Sequence, residues 1–154
     1  NKNIYTLKLI RRGVRLFVPR DLSVFEMLKV NEFMTKEVII VEPEQRLSEV
    51  HELIRQTHHD CYPVVENGRI IGVISSDEIL NASLYMLPKI SDRDAMRKKF
   101  NYIYEDESLL KAIELMRTSD TGKIIVITRS NPAKVVGIIT KTDIIKAYHY
   151  ISSF

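Results

Sequence analysis

The chain carries one pattern twice, and this repetition limits its fold more than any single residue does. Met34, Lys36, Leu47, Glu52, Leu53, Arg55 and Val64 recur 62 positions later as Met96, Lys98, Leu109, Glu114, Leu115, Arg117 and Val126. Farther on the offset widens to 65, pairing Gly72 with Gly137, Ser75 with Thr140, Ile79 with Ile144 and Ala82 with Ala147. The three extra residues of the second copy fall around Arg129-Ser130-Asn131-Pro132-Ala133. They stand opposite Asn67-Gly68, a pair that favours a two-residue hairpin turn.

Within each copy a short β-branched run, Val38 to Val41 or Tyr102 to Tyr104, precedes apolar positions at helical spacing. Those positions are Leu47, Val50, Leu53 and Ile54 in the first copy, and Leu109, Ile113 and Met116 in the second. Two more β-branched segments follow, and a final helix is expected from Ser76 or Lys141. The fold class is α/β (α+β), with a β-α-β-β-α unit used twice. A three-stranded sheet with helices on one face leaves apolar surface bare, so two such units are expected to pack sheet to sheet around a pseudo-twofold axis. The domain expectation is an arm with an extra helix over 1–30, a first unit over 31–86, a linker over 87–99 and a second unit over 100–154. Leu22, Phe25 and Leu28 put the extra helix near 21–30, tying the arm to the first unit.

Of the 154 residues, 45% are hydrophobic and 28% charged, which excludes a disordered tail. The net charge of +3 is unevenly spread: residues 1–30 hold seven Lys and Arg against two Asp and Glu. This basic arm has no interleaved aromatics and no groove-reading motif, so nucleic acid is not the expected partner. It suits a segment beside a membrane, where Lys and Arg meet anionic lipid headgroups, and equally a solvated basic face. No apolar run reaches the roughly 18 residues of a membrane helix. The single Cys61 forms no internal disulfide, which fits a reducing compartment. Starting at Asn1 without a Met or a signal pattern, the chain reads as a piece of something longer.

The repeat length, the β-α-β-β-α order and Met34-Thr35 resemble the cystathionine-β-synthase (CBS) domain. So do the endings Gly72-Val73-Ile74-Ser75-Ser76-Asp77-Glu78 and Gly137-Ile138-Ile139-Thr140-Lys141-Thr142-Asp143. Two copies make a CBS pair, or Bateman module, covering about residues 31 to 150. Upstream, Ile4-Tyr5-Thr6-Leu7-Lys8-Leu9-Ile10-Arg11-Arg12-Gly13 resembles the segment that leads from the last membrane helix of CLC-type chloride channels and transporters into their CBS pair. The resemblance implies a regulatory region at the cytoplasmic face of a membrane, attached to an upstream chloride-conducting domain and assembled as a homodimer. It also implies an adenine nucleotide (ATP, ADP or AMP) as regulatory ligand.

Thr140 with Asp143, and Ser75 with Glu78, have the spacing of a capping box, which needs no ligand. A helix N-terminus is also an anion site, and the two roles can coexist. In nucleotide-binding CBS pairs the acid at this position takes the ribose hydroxyls, so by resemblance Asp143 and Thr140 would do so here. The resemblance adds Val38 and Asp60, whose backbone would read the adenine edge, with His59 or Tyr62 offering an aromatic face. Ser75 and Glu78 form the equivalent second site, where the longer Glu places its oxygens farther out. Tyr62, before Pro63 in an apolar strand, reads as core.

His51, His58, His59 and Cys61 show no closed four-ligand spacing, so no metal is expected. Cys61 has no activating base beside it and reads as a small core residue. No phosphate-cradling glycine-lysine loop, nucleophile elbow or paired catalytic acid is present, which argues against an enzyme. CBS pairs also occur as ancillary domains of enzymes, a reading that residues 4–13 argue against. Two functions stand: a nucleotide sensor, and a ligand-free structural module that dimerises the same protein.

Overall fold

The computed structural model describes residues 4–8, 15–19, 22–119 and 121–153. In chain order it contains β1 (Ile4–Lys8), β2 (Arg15–Pro19), a 3-10 helix (Leu22–Met27), α1 (Val30–Phe33), α2 (Leu47–Thr57), β3 (Cys61–Glu66) and β4 (Arg69–Ser75). Next come α3 (Ser76–Leu80), a short 3-10 turn (Leu84–Met86), α4 (Asp92–Ala95), β5 (Tyr102–Tyr104), α5 (Leu109–Ser119), β6 (Lys123–Ile127), β7 (Val135–Thr140) and α6 (Lys141–Ser152). This is the mixed helix-and-sheet order expected of a doubled unit. Lys2, Arg11, Arg12 and Arg20 of the basic arm, and the Leu9 to Gly13 part of the upstream resemblance, lie outside the described residues.

Two compact units emerge, and they do not follow the repeat. Unit 1 is drawn from Asn1–Glu37, Asn101–Pro132 and Val136–Phe154; unit 2 from Val38–Phe100 and Ala133–Val135. The segment leading into each copy therefore belongs to the unit built on the other copy.

In unit 1 the sheet order is β5-β6-β7, with β5 parallel to β6 and Ile103 opposite Val126. On α5, Leu109, Ala112, Ile113 and Met116 are all buried, the i, i+3, i+4, i+7 stripe of a helix lying on a sheet. Phe25 of the 3-10 helix and Val30 of α1 complete this core. The helix near 22–27 thus packs on the second copy, not the first: Phe25 is fully buried there while Met27 stays in solvent. β1 and β2 form an antiparallel hairpin with Thr6 opposite Phe17.

In unit 2, β3 and β4 form an antiparallel hairpin closed by Asn67 and Gly68, both at positive φ (53° and 77°), the twist that suits a two-residue turn. The strand expected over Val38 to Val41 is absent. Val41 alone pairs with β3, bridging Val64, while Ile40 is exposed, so the pairing is one residue long and builds no strand. Leu47 and Val50 of α2, Tyr62, Val64 and Ile74 form the core, placing Tyr62 in the interior as its apolar setting foretold. His58, in the left-handed region, ends α2 by donating its N–H to the Ile54 carbonyl.

Each unit docks its borrowed leader at the repeated glycine. In unit 1, Thr35 and Ile138 exchange backbone hydrogen bonds of 2.8 and 2.9 Å. A Cβ on Gly137 would stand 2.7 Å from Met34 Sδ and 2.9 Å from the Thr35 carbonyl. In unit 2, Val73 and Arg97 make the same exchange at 3.0 and 2.9 Å, and a Cβ on Gly72 would meet Met96 Sδ at 2.5 Å. The Met and Gly of the repeat are two halves of one contact: only a residue without a side chain lets the leader backbone come this close.

Candidate functional site

Thr140 caps α6 with a complete capping box. Its backbone N–H and its hydroxyl donate to Asp143 Oδ2 at 2.9 and 3.0 Å, and the Asp143 N–H donates to Thr140 Oγ1 at 3.2 Å. The leader strand adds a third donor, because the Thr35 hydroxyl sits 3.2 Å from both Asp143 oxygens. Asp143 is 4% exposed, held where α6 leaves β7. Among the described residues it has no ion-pair partner, and Thr35 is the one donor on Oδ1. A carboxylate oxygen can accept more than one hydrogen bond, so Oδ1 has accepting capacity to spare.

The first copy builds the same cap with a different ending. Ser75 caps α3, its N–H and hydroxyl donating to Glu78 Oε1 at 2.6 and 3.0 Å. Position 97 corresponds to Thr35 in the repeat and carries Arg97, whose Nε lies 3.1 Å from Glu78 Oε2. The longer Glu reaches a cation where Asp143 reaches a hydroxyl. One acid has a cation of the chain beside it; among the described residues its counterpart has none.

Thr140 and Asp143 are thus brought together in unit 1, and Ser75 with Glu78 in unit 2. Val38, His59 and Asp60 belong to unit 2. Val38 is half-buried in the stretch that forms no strand. His59 follows the end of α2, and its carbonyl accepts from the Tyr62 hydroxyl at 3.0 Å. Asp60 has a structural task, since its Oδ1 accepts the Ser76 N–H at 2.7 Å and so satisfies the first turn of α3. Cys61 opens β3 only half-buried, a correction to its reading as a core residue: it begins an edge opposite Ser75 instead of sitting in the hairpin interior. Among the described residues no three His, Cys, Asp or Glu side chains are grouped to hold a metal. Likewise no described helix is long and apolar enough to cross a membrane.

The sequence reading missed Thr35 and Arg97. The offset of 62 already pairs them, but nothing local says that each meets the acid of the other copy.

A profile of the CBS domain matches residues 30–85 and 93–150, the two copies defined by the repeat. Among curated proteins, the uncharacterized protein MJ1232 of Methanocaldococcus jannaschii is 31% identical over 150 residues, covering 95% of this chain and 49% of MJ1232. The chain therefore spans about half the length of that relative. Among solved structures, CBSX2 in complex with AMP has a TM-score of 0.71 over 81% of this chain and 98% of its own, at 21% identity. The CBS domain pair of protein MJ0100, in complex with 5′-methylthioadenosine and S-adenosyl-L-methionine, has a TM-score of 0.68 over 80% and 97%, also at 21% identity. At these identities the likeness shows the fold. The profile matches most of the chain in two successive stretches, and the structure has the doubled unit with its leader, glycine and capping acid in both copies. The chain belongs to the CBS domain family, as a tandem CBS pair.

Proposed function

We propose that this CBS pair is a non-catalytic regulatory module that binds an adenosine-type ligand, with Asp143 accepting the ribose hydroxyls and Thr140 beside it. The observation that carries this reading is the buried Asp143 carboxylate, which has spare accepting capacity on Oδ1 and no cation among the described residues, whereas Glu78 is committed to Arg97. A vicinal diol replaces the Thr35 hydroxyl with stronger, paired donation to a charged acceptor. The similar structures carry AMP, 5′-methylthioadenosine and S-adenosyl-L-methionine; the last two have no phosphate, so the common element is adenosine. Val38, His59 and Asp60 enter the proposal through the family resemblance alone. ATP, ADP and AMP all remain ligands to be tried.

Regulation follows if the ligand favours one arrangement of the protein over another, since the equilibrium then shifts by the difference in affinity, typically about 1 to 3 kcal/mol. Self-association into a dimer, attachment to a chloride-conducting membrane domain, a place at the cytoplasmic face and contact of the basic arm with anionic lipid are part of the proposal. They rest on the resemblance of residues 4–13 and on the charge of the arm.

A thermal shift tests the reading. A ligand that binds only the folded state adds roughly 2.7 kcal/mol at a hundred times its dissociation constant, enough to raise Tm by several degrees. ATP, ADP or AMP should produce that shift and GTP should do less. Equal, negligible shifts with all four favour the second reading, a ligand-free assembly module. One observation supports that alternative: both capping boxes are complete as they stand.

A further inference from the structure

Position 92 corresponds to position 30 in the repeat, and both residues are fully buried at the first turn of a leader helix. At 30 the residue is Val, packed in an apolar core. At 92 it is Asp, and both carboxylate oxygens are buried with no hydrogen-bond partner among the described residues. The nearby charges do not answer it. From α2, Glu49 acts on it through space and favours the proton, while His51, Glu52 and Arg55 lie farther along that helix. Arg46, before α2, points its guanidinium at the Lys89 carbonyl. Arg93 on α4 itself is bound to Glu44 of the turn before α2 and to Glu66 of β3. Asp94 adds a second negative charge to α4, Glu42 one to the turn before α2, and Arg69, the one charged residue of β4, lies at the hairpin end opposite Glu66.

An isolated ionised carboxylate in such a place is costly, and a protonated one is close to an apolar residue. A four-residue helix offers little dipole to offset the charge. We propose that Asp92 is a proton-operated seat for α4: protonated, it lets α4 pack and holds Arg97 on Glu78; ionised, it loosens α4 and frees that ion pair. The connection is short. The Asp92 carbonyl accepts the Met96 N–H at 2.9 Å, Met96 packs on Gly72, and the next residue is Arg97, bridged to Val73. The proton thus sets whether Glu78 is neutralised within the chain, in unit 2 only, because unit 1 has Val30 in the same place. The device works whether or not a nucleotide binds.

Methionine-methyl NMR of the whole chain tests this, with Met34 as the internal reference for Met96. Titrated from about pH 5 to about pH 9, the Met96 methyl should shift with a midpoint close to 7, as burial of Asp92 dictates, while Met34 stays flat. Asp92→Val, which copies the residue at position 30, and Asp92→Asn should each abolish the Met96 inflection. A flat Met96 in the parent overturns the proposal. So does an inflection that survives in either variant, which would assign it to another group such as His51.

Discussion

Arg97 Nε and Glu78 Oε2 stand 3.1 Å apart, at the positions where the other copy places the Thr35 hydroxyl against Asp143. The two halves of the repeat thus use one scaffold to opposite electrostatic ends. In one, a cation from the leader pairs with the acid; in the other, the leader supplies a neutral hydroxyl.

The ion pair itself contributes little to stability. Arg97 is half in water, with a side-chain exposure of 52%, so Arg97→Thr should cost no more than about 1 kcal/mol in urea unfolding. A loss several times larger would mean that the arginine packs the leader against the hairpin in addition to pairing with Glu78.

The glycines are a sharper case. Gly137→Ala puts a methyl 2.7 Å from Met34 Sδ and 2.9 Å from a backbone carbonyl that cannot move away. The expected cost is about 1 to 3 kcal/mol, as for other overpacked sites. Truncating Met34 to Ala in the same chain should recover only part of it, since the Thr35 carbonyl remains in the way. Full additivity of the two changes would show that the residues do not meet.

Stability should depend on pH through Asp92. Its carboxyl is raised from 3.8 to about 7, first by burial and then by Glu49. For an acid held above its unfolded value the native state binds the proton more tightly, so its contribution is fully present below about pH 4 and is lost as pH rises through about 7. The shift corresponds to roughly 4 kcal/mol across that window. Asp92→Val should be more stable than the parent at neutral pH, and its advantage should shrink steadily as pH falls towards 4. A pH-independent difference between the two would contradict the burial of an unpartnered carboxyl.

Much of this architecture is legible in the sequence, because periodicity and caps are local. The stripes on α2 and α5, the Asn67-Gly68 turn and both capping boxes are where apolar spacing and turn chemistry place them. The strand expected at Val38 to Val41 shrinks to a single bridge from Val41 to Val64, since β propensity follows side-chain packing and Ile40 lies in solvent. The contacts that give each acid its character are not local. Thr35 meets Asp143 across 108 residues, and the exchange of leaders that brings them together is a tertiary choice with no local signal. Asp92 looks like an ordinary exposed acid early in a helix, and only its complete burial in the folded chain shows otherwise.

The central claim is that Asp143, and not Glu78, accepts the ribose of an adenosine-type ligand. Calorimetric titration of AMP, ADP and ATP into the parent, Asp143→Ala and Glu78→Ala tests it most directly, with urea unfolding of each variant to separate the cap from the ligand. Loss of the cap costs about 0.5 to 2 kcal/mol of stability in either variant. Loss of a hydrogen bond to a charged acceptor removes about 1.5 to 3 kcal/mol of binding. Asp143→Ala should therefore weaken the nucleotide at least tenfold, equivalent to about 1.4 kcal/mol, while Glu78→Ala binds like the parent. Parent-like binding by Asp143→Ala, or a loss confined to Glu78→Ala, would contradict the assignment.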